Sequence, residues 1–319
     1  MTGGDGVPGT VTGPMVGRVR SAAVAGSFYP PSPGALAALV QDLMADAARL
    51  VRPDAAARTP SAPIPAGLLV PHAGLDYSGV VAAAGWSALA SPTPVADGIT
   101  SPLTVVILGT NHRAGWLDGI GIWDAGAWRT PLGDVLVNDR LARDAVDLGA
   151  PFVIDRDAHA AEHAIEVQLP LLQAVRPDAT IVPLAVSAGT GIAAIDAGRR
   201  LGELLARLRS AGSGITLAVS TDMAHYPSAA ASAEVTEALL HPIVALDPAA
   251  LAAGEAAIRA ARIPGLVCGM CGVEPSIVGL AALRAMGAVS ATRLATATSA
   301  DRGGPTDRTV GYLAVRFDA

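Results

Sequence analysis

The chain has 319 residues and a formal charge of −6; it is 51% hydrophobic and only 16% charged, and every basic residue in it is an arginine. An acidic chain with a pI near 5.5 argues against a sequence-independent nucleic-acid surface, which needs cations to neutralise phosphates. Its apolar runs are broken by Gly, Pro, Arg or Asp well before the roughly 20 residues of a membrane span. Two cysteines, Cys268 and Cys271, are too few for a disulfide framework and fit a reducing, cytoplasmic setting.

In chain order, Met1 to about Gly17 is rich in Gly, Thr, Val and Pro without the basic start of a signal peptide, so residues 1–18 read as a disordered leader. Residues 19–319 read as a single domain, since sheets covered on both faces reach this size as one unit. Pro33 to Leu50 carries apolar residues at helical spacing and stops at Arg52-Pro53, with a Pro- and Ala-rich linker running on to Pro65. Four short, β-branched, apolar runs read as buried strands: Gly67 to Pro71, Leu103 to Thr110, Thr180 to Ser187 and Ile215 to Thr221. Helical patterns cover Ser78 to Leu89, Asn138 to Leu148, Ala164 to Val175, Ile192 to Ser210, Ala231 to Leu240 and Pro275 to Met286, and Ser91 to Pro102 reads as a surface loop. Further strands are expected near Gly119 to Trp123 and over Thr309 to Phe317, the latter at an edge or pairing antiparallel. This alternation predicts an α/β fold with a mainly parallel central sheet and helices on both faces. The thin charged surface is compatible with oligomers.

Three predicted strands end in polar clusters: Pro71-His72 with Gly74, Gly109-Thr110-Asn111-His112, and Ser220-Thr221-Asp222 followed by His225. Ligands of open α/β sheets bind outside the carboxyl ends of strands, where these residues can converge. Taken singly, each histidine is more often a hydrogen-bonded structural residue than a ligand. Three of the six histidines at strand ends shift that balance toward function. Cys268 and Cys271 form a C-x-x-C, which alone admits a redox pair, half of a zinc site, or two small buried hydrophobes. No second such pair occurs, and the motif does not open the helix of a compact βαβ unit, which leaves one thiolate joining two imidazoles. Cys271 precedes a predicted helix N-terminus, where the dipole favours a thiolate.

At these residues the chain resembles the Memo family. The resemblance runs from about Arg20 to Phe317, through Gly26-Ser27-Phe28-Tyr29-Pro30, Pro71-His72-Ala73-Gly74, Gly109-Thr110-Asn111-His112, Glu162-His163-Ala164-Ile165-Glu166-Val167-Gln168-Leu169-Pro170, Ser220-Thr221-Asp222 to His225, Cys271-Gly272 with Pro275, and Val310-Gly311-Tyr312. It implies a fold like that of class III extradiol dioxygenases, which hold non-haem iron at the carboxyl edge of the sheet. It further implies His72, His112 and Cys271 as metal ligands, the cysteine replacing the dioxygenases' glutamate, with His225 as acid/base and Asp222 as its acidic neighbour. Glu162 and His163 match a family motif, with pocket wall and structural network both open. Arg113 stands where the family often has a second histidine, and Cys268 is not a regular family feature. Relatives are often encoded beside AMMECR-type and radical S-adenosylmethionine proteins, which are the expected partners.

Two imidazoles and a thiolate form a softer set than the two-histidine-one-carboxylate triad, so the site tolerates Fe(II) and also attracts Cu and Zn, and the donors alone do not choose among them; the resemblance makes Fe(II) the expected metal, with Cu or Zn accommodated. Two functions remain open on this reading: an O2-dependent oxidoreductase of unknown substrate, and a non-catalytic metal-holding or partner-binding protein on a dioxygenase-like fold. A zinc hydrolase ranks last, for want of paired carboxylate ligands or an HExxH helix.

Overall fold

The computed structural model describes residues 19–50, 64–90 and 103–319. The expected leader, most of the linker before Pro65 and the expected loop from Ser91 to Pro102 lie outside the described residues. The chain opens with β1 (Val19–Arg20), α1 (Pro33–Leu50), β2 (Gly67–Val70), α2 (Leu75–Trp86) and β3 (Thr104–Thr110). It continues through β4 (Gly119–Ile122), β5 (Ala127–Thr130), β6 (Gly133–Leu136), α3 (Asp139–Val146), β7 (Phe152–Ile154), α4 (Asp157–Ala160), α5 (Leu169–Val175) and β8 (Thr180–Ser187). The last part holds α6 (Ile192–Ser210), β9 (Ile215–Ser220), α7 (Ala229–Val244), α8 (Pro248–Ala260), α9 (Val273–Ala285), β10 (Ser290–Thr298) and β11 (Gly311–Asp318).

The fold is mixed α/β around an eight-stranded sheet of order β10-β11-β2-β9-β3-β8-β4-β7. Its centre, β2-β9-β3-β8, is parallel throughout, while β4 and β11 run antiparallel to their central neighbours. The central strands are apolar because they are covered on both sides: every residue of β2, β3 and β9 is buried. In this parallel register Val70 pairs with Ser220 and Leu69 with Val219, so Val70 and Val219 face opposite sides. α2 packs on the first side, where a Cβ on Gly85 would stand 2.4 Å from Val70 Cγ1. α9 packs on the second, where a Cβ on Gly279 would stand 2.3 Å from Val219 Cγ2. Each wholly buried Leu or Ile in these layers contributes roughly 1.5–3 kcal/mol.

The closing strand does pair antiparallel, but it lies between β10 and β2 rather than at the edge. β10 takes the edge; its Ser-Ala-Thr-Arg-Leu-Ala-Thr-Ala-Thr sequence is mostly exposed or half-buried, and so lacks the apolar alternation that marks a strand. β5 and β6 form a hairpin that joins β1 in a separate three-stranded sheet. α8 has its start signal in the sequence, since Asp247 caps it through the N–H groups of Ala249 and Ala250 and Pro248 stands at the first turn. The patterned helix before it simply ends closer than expected.

Candidate metal centre

β2, β9 and β3 lie side by side and parallel, with Val70 opposite Ser220 and Gly109 opposite Ser220, so the residues that follow them emerge at one sheet edge. These are His72, Asp222 and His112. Cys271 comes to the same edge on the strip before α9, which the main chain ties down: the Cys271 N–H donates to the Asp222 carbonyl at 3.1 Å, and the His225 N–H to the Cys268 carbonyl at 3.0 Å. The Gly272 N–H adds a bond to Thr221 Oγ1 at 2.9 Å. Gly109 has a steric purpose here, because a Cβ would stand 2.5 Å from Ile165 Cγ1 and push the 162–168 segment away from the edge.

His72 is buried, and its protonation pattern follows from a chain of hydrogen bonds. The Trp86 indole N–H can only donate, so Gln168 Oε1 accepts it at 2.8 Å. The Gln168 amide nitrogen then donates to the Pro71 carbonyl and to Ser220 Oγ, each at 2.9 Å. The Ser220 hydroxyl hydrogen goes to the Ala164 carbonyl at 2.6 Å. Ser220 Oγ is left only as an acceptor toward His72 Nδ1, 2.9 Å away. His72 Nδ1 therefore carries the proton and Nε2 the free lone pair. Burial, then the neighbouring His163 and His112, hold His72 well below the usual imidazole value, so the ring is neutral. Its Nε2 stands 3.2 Å from Cys271 Sγ.

Glu162 does for His112 what Ser220 does for His72. Burial pushes its carboxyl up, but the hydrogen bond from His112, the nearness of His163 and the Ala164 amide outweigh burial and leave it well below the carboxylate range. An ionised carboxylate only accepts, so His112 Nδ1 donates to Glu162 Oε1 at 3.0 Å, and the His112 main-chain N–H donates to Oε2 at 2.6 Å. His112 Nε2 is thereby the ring nitrogen that Glu162 leaves free for a ligand. His163 stacks on His112 at 4.6 Å, lies edge-on to His72 at 5.3 Å and backs onto Phe28 at 4.6 Å. Its Nδ1 is 3.1 Å from Glu162 Oε1 but off the hydrogen-bonding direction, and remains a buried atom without a partner. His72, His112 and His163 each offer a ring nitrogen, all within 4.8 Å of one another.

Asp222 Oδ1 accepts the main-chain N–H groups of His72 and Ala73 at 2.7 and 3.2 Å, so its carboxylate fixes the turn that presents His72. The His225 ring is held from another side: Nδ1 donates to the Met223 carbonyl at 2.8 Å. The ring thus bonds the Met223 carbonyl rather than the Asp222 carboxylate, although the two side chains are near enough to interact electrostatically. Burial pushes the Cys271 thiol well above its ordinary value and the Asp222 charge adds to this, against the Asp222 N–H that donates to Sγ at 3.3 Å. A thiolate at this position calls for a compensating cation. Burial and Glu255 likewise hold the half-buried Cys268 thiol up at about 11.

Two imidazoles, each held by a hydrogen bond at Nδ1, and a cysteine whose thiolate needs a cation form a donor set that fits a soft or borderline divalent metal. The family motifs outside this cluster build its wall. Arg20 pairs with Glu166 in a buried ion pair, donates to the carbonyls of His159 and Glu162, and lies over the Trp128 ring. Glu166 also accepts from Tyr29 Oη and from the amides of Ala23 and Val24. That knot anchors the amino-terminal Gly-Ser-Phe-Tyr-Pro motif, and with it Phe28, against the segment that carries Glu162 and His163. The supporting parts of Ser220, Gln168, Glu162 and Glu166 are not separable from ordinary polar residues in the sequence, because each acts through a partner more than thirty residues distant.

The fold and this edge define an α/β protein with a histidine cluster able to bind a metal. Residues 20–316 match the family described as Memo-like protein. A MEMO1 family protein of Methanopyrus kandleri is 33% identical over 93% of this chain and 98% of its own length. One from Sulfolobus acidocaldarius is 34% identical over 94% and 99%, and one from Thermotoga maritima 34% identical over 78% and 81%. The chain belongs to the Memo family. Among the described residues no helix is long and apolar enough to cross a membrane.

Proposed function

We propose that this protein binds one Fe(II) ion through His72, His112 and Cys271, on an edge organised like that of the class III extradiol dioxygenases, and that it acts as an O2-dependent oxidoreductase. One observation carries the reading: separate hydrogen-bond chains occupy Nδ1 of His72 and of His112, leaving both Nε2 atoms to a ligand, and Cys271 Sγ lies 3.2 Å from one of them. Holding the distal nitrogen of a ligand histidine by a hydroxyl or carboxylate is how proteins fix imidazole donors. When bound, iron supplies the electrons for dioxygen chemistry. Asp222 fixes the His72 turn. His225, whose Nδ1 is committed to the Met223 carbonyl, is the proposed acid/base, exchanging a proton with an acidic substrate through Nε2. Copper and zinc suit the same donors.

The mutual approach of ring nitrogens in His72, His112 and His163 favours a second donor set in which His163 joins or replaces the thiolate. Metal analysis of anaerobically purified protein, followed by O2 consumption with phenolic substrates after loading with Fe(II), tests the proposal. Bound iron and substrate-dependent consumption are expected. His225→Ala should keep the metal and lose most of the consumption, whereas loss of metal in that variant would overturn the acid/base assignment. Tight metal binding without any consumption would leave the metal-holding protein as the function.

A further inference from the structure

Glu255, on α8, is only 4% exposed, and no arginine or histidine among the described residues forms an ion pair with it. Burial pushes the Glu255 carboxyl up even though the Arg259 charge on the same helix acts against it, so the group is costly to bury and what it holds is informative. Its Oε1 accepts the Gly269 N–H at 3.1 Å. Its Oε2 has no hydrogen-bond partner and lies against Gly269, where a Cβ would stand 2.2 Å away. Glu255 thus grips the middle of Cys268-Gly269-Met270-Cys271, and the glycine is required for the grip.

The gripped strip has two further attachments, both at the candidate centre. Its Cys268 carbonyl and Val267 N–H pair with the main chain of His225, each at 3.0 Å, and its Cys271 N–H bonds the Asp222 carbonyl at 3.1 Å. Cys271 Sγ then reaches His72. The strip has no regular secondary structure of its own, so its path depends on what holds it from either side. Asp222 and His225 hold it from the sheet edge, and Glu255 from the helical side.

We propose that Glu255 is a positioning residue for the metal centre: by taking the N–H group of Gly269 it sets the path of the strip that delivers Cys271 and pairs with His225. The inference rests on Cys271 being a metal ligand. It gives the C-x-x-C motif a meaning in which the intervening Gly269 matters more than Cys268.

Cobalt(II) is a suitable probe, because a thiolate ligand gives it a near-ultraviolet charge-transfer band that reports the sulfur bond directly. The full chain, Glu255→Met, Glu255→Gln and Gly269→Ala are titrated anaerobically with cobalt, against a competing chelator, and the band is measured per bound metal. Glu255→Met should bind cobalt about 10- to 100-fold more weakly and lose band intensity, as for other groups that orient metal ligands, while Glu255→Gln, which keeps an acceptor oxygen, stays within about threefold of the wild type. Gly269→Ala should follow Glu255→Met although every polar group is retained. A wild-type band unchanged in both Glu255→Met and Gly269→Ala would overturn the role of Glu255 alone. No thiolate band in the wild type would overturn the ligand assignment of Cys271 and this inference with it. Unfolding of Glu255→Met before metal is added would also overturn it, since the carboxylate would then serve the fold at large.

Discussion

Ser220 decides which nitrogen of His72 is free, and it does so only because Gln168 and Ala164 have already used the rest of its hydroxyl. Ser220→Ala should therefore weaken metal binding by about 10- to 100-fold, the usual effect of removing a partner behind a ligand histidine, while costing about 1–3 kcal/mol of stability for the donors left unpaired. Anaerobic metal titration beside a urea melt separates the two, and unchanged affinity would show that His72 is not held for ligation. His159 makes a different prediction. Its Nε2 donates to the Gly121 carbonyl at 2.9 Å, while Nδ1 is buried without a partner, and burial lowers its pKa from 6.5 to about 4. A lowered histidine value means the unfolded chain binds the proton first, so the stability this neutral ring supports is present above pH 6.5 and is lost as the pH falls toward 4. The slope for one such proton is at most about 1.4 kcal/mol per pH unit. Urea midpoints of metal-free protein at pH 7 and 5 should show a smaller drop in His159→Gln than in the wild type, and equal drops would remove His159 as a cause.

At the scale of elements, α9 transmits the packing of the molecule to the metal centre, because it starts directly after Cys271-Gly272. It lies against α6 so closely that a Cβ on Gly202 would stand 2.2 Å from the Ala282 carbonyl oxygen. Gly202→Ala should cost about 1–3 kcal/mol through overpacking, and because α9 must shift, metal affinity should fall in the same variant; a stability loss with unchanged affinity would uncouple helix and site. The helix pair was legible in the sequence: α6 has the bounds its apolar period predicts, and α9 starts two residues before the expected Pro275. The four buried strands were legible for the same reason, being apolar runs without alternation. β5, β6 and β10 were not, since short or Ala- and Thr-rich strands carry no such signal and are specified by their neighbours. α8 was missed although Asp247-Pro248 announces it, and with it went the only view of Glu255. The strand-end residues His72, His112 and Asp222 could be placed at one edge because parallel strands share a carboxyl end. The proximity of His163 and the part played by Glu162 could not, because both depend on how the 162–168 segment crosses that edge.

For the whole molecule, the fold does not depend on the metal. The buried side chains form one large cluster that takes in residues from Val24 to Phe317, and burial of this extent, rather than an ion, supplies most of the stability. Removing a ligand should accordingly empty the centre without unfolding the chain. The two cysteines offer the sharpest contrast, since Cys271 Sγ adjoins His72 Nε2 at 3.2 Å, while Cys268 engages the centre only through its main-chain carbonyl, which accepts the His225 N–H. The most direct measurement is bound metal per chain in anaerobically purified Cys271→Ser and Cys268→Ser, with circular dichroism on the same samples. Cys271→Ser should lose most of its metal and stay folded, and Cys268→Ser should keep it; equal loss in both, or full retention in Cys271→Ser, would contradict the proposed centre.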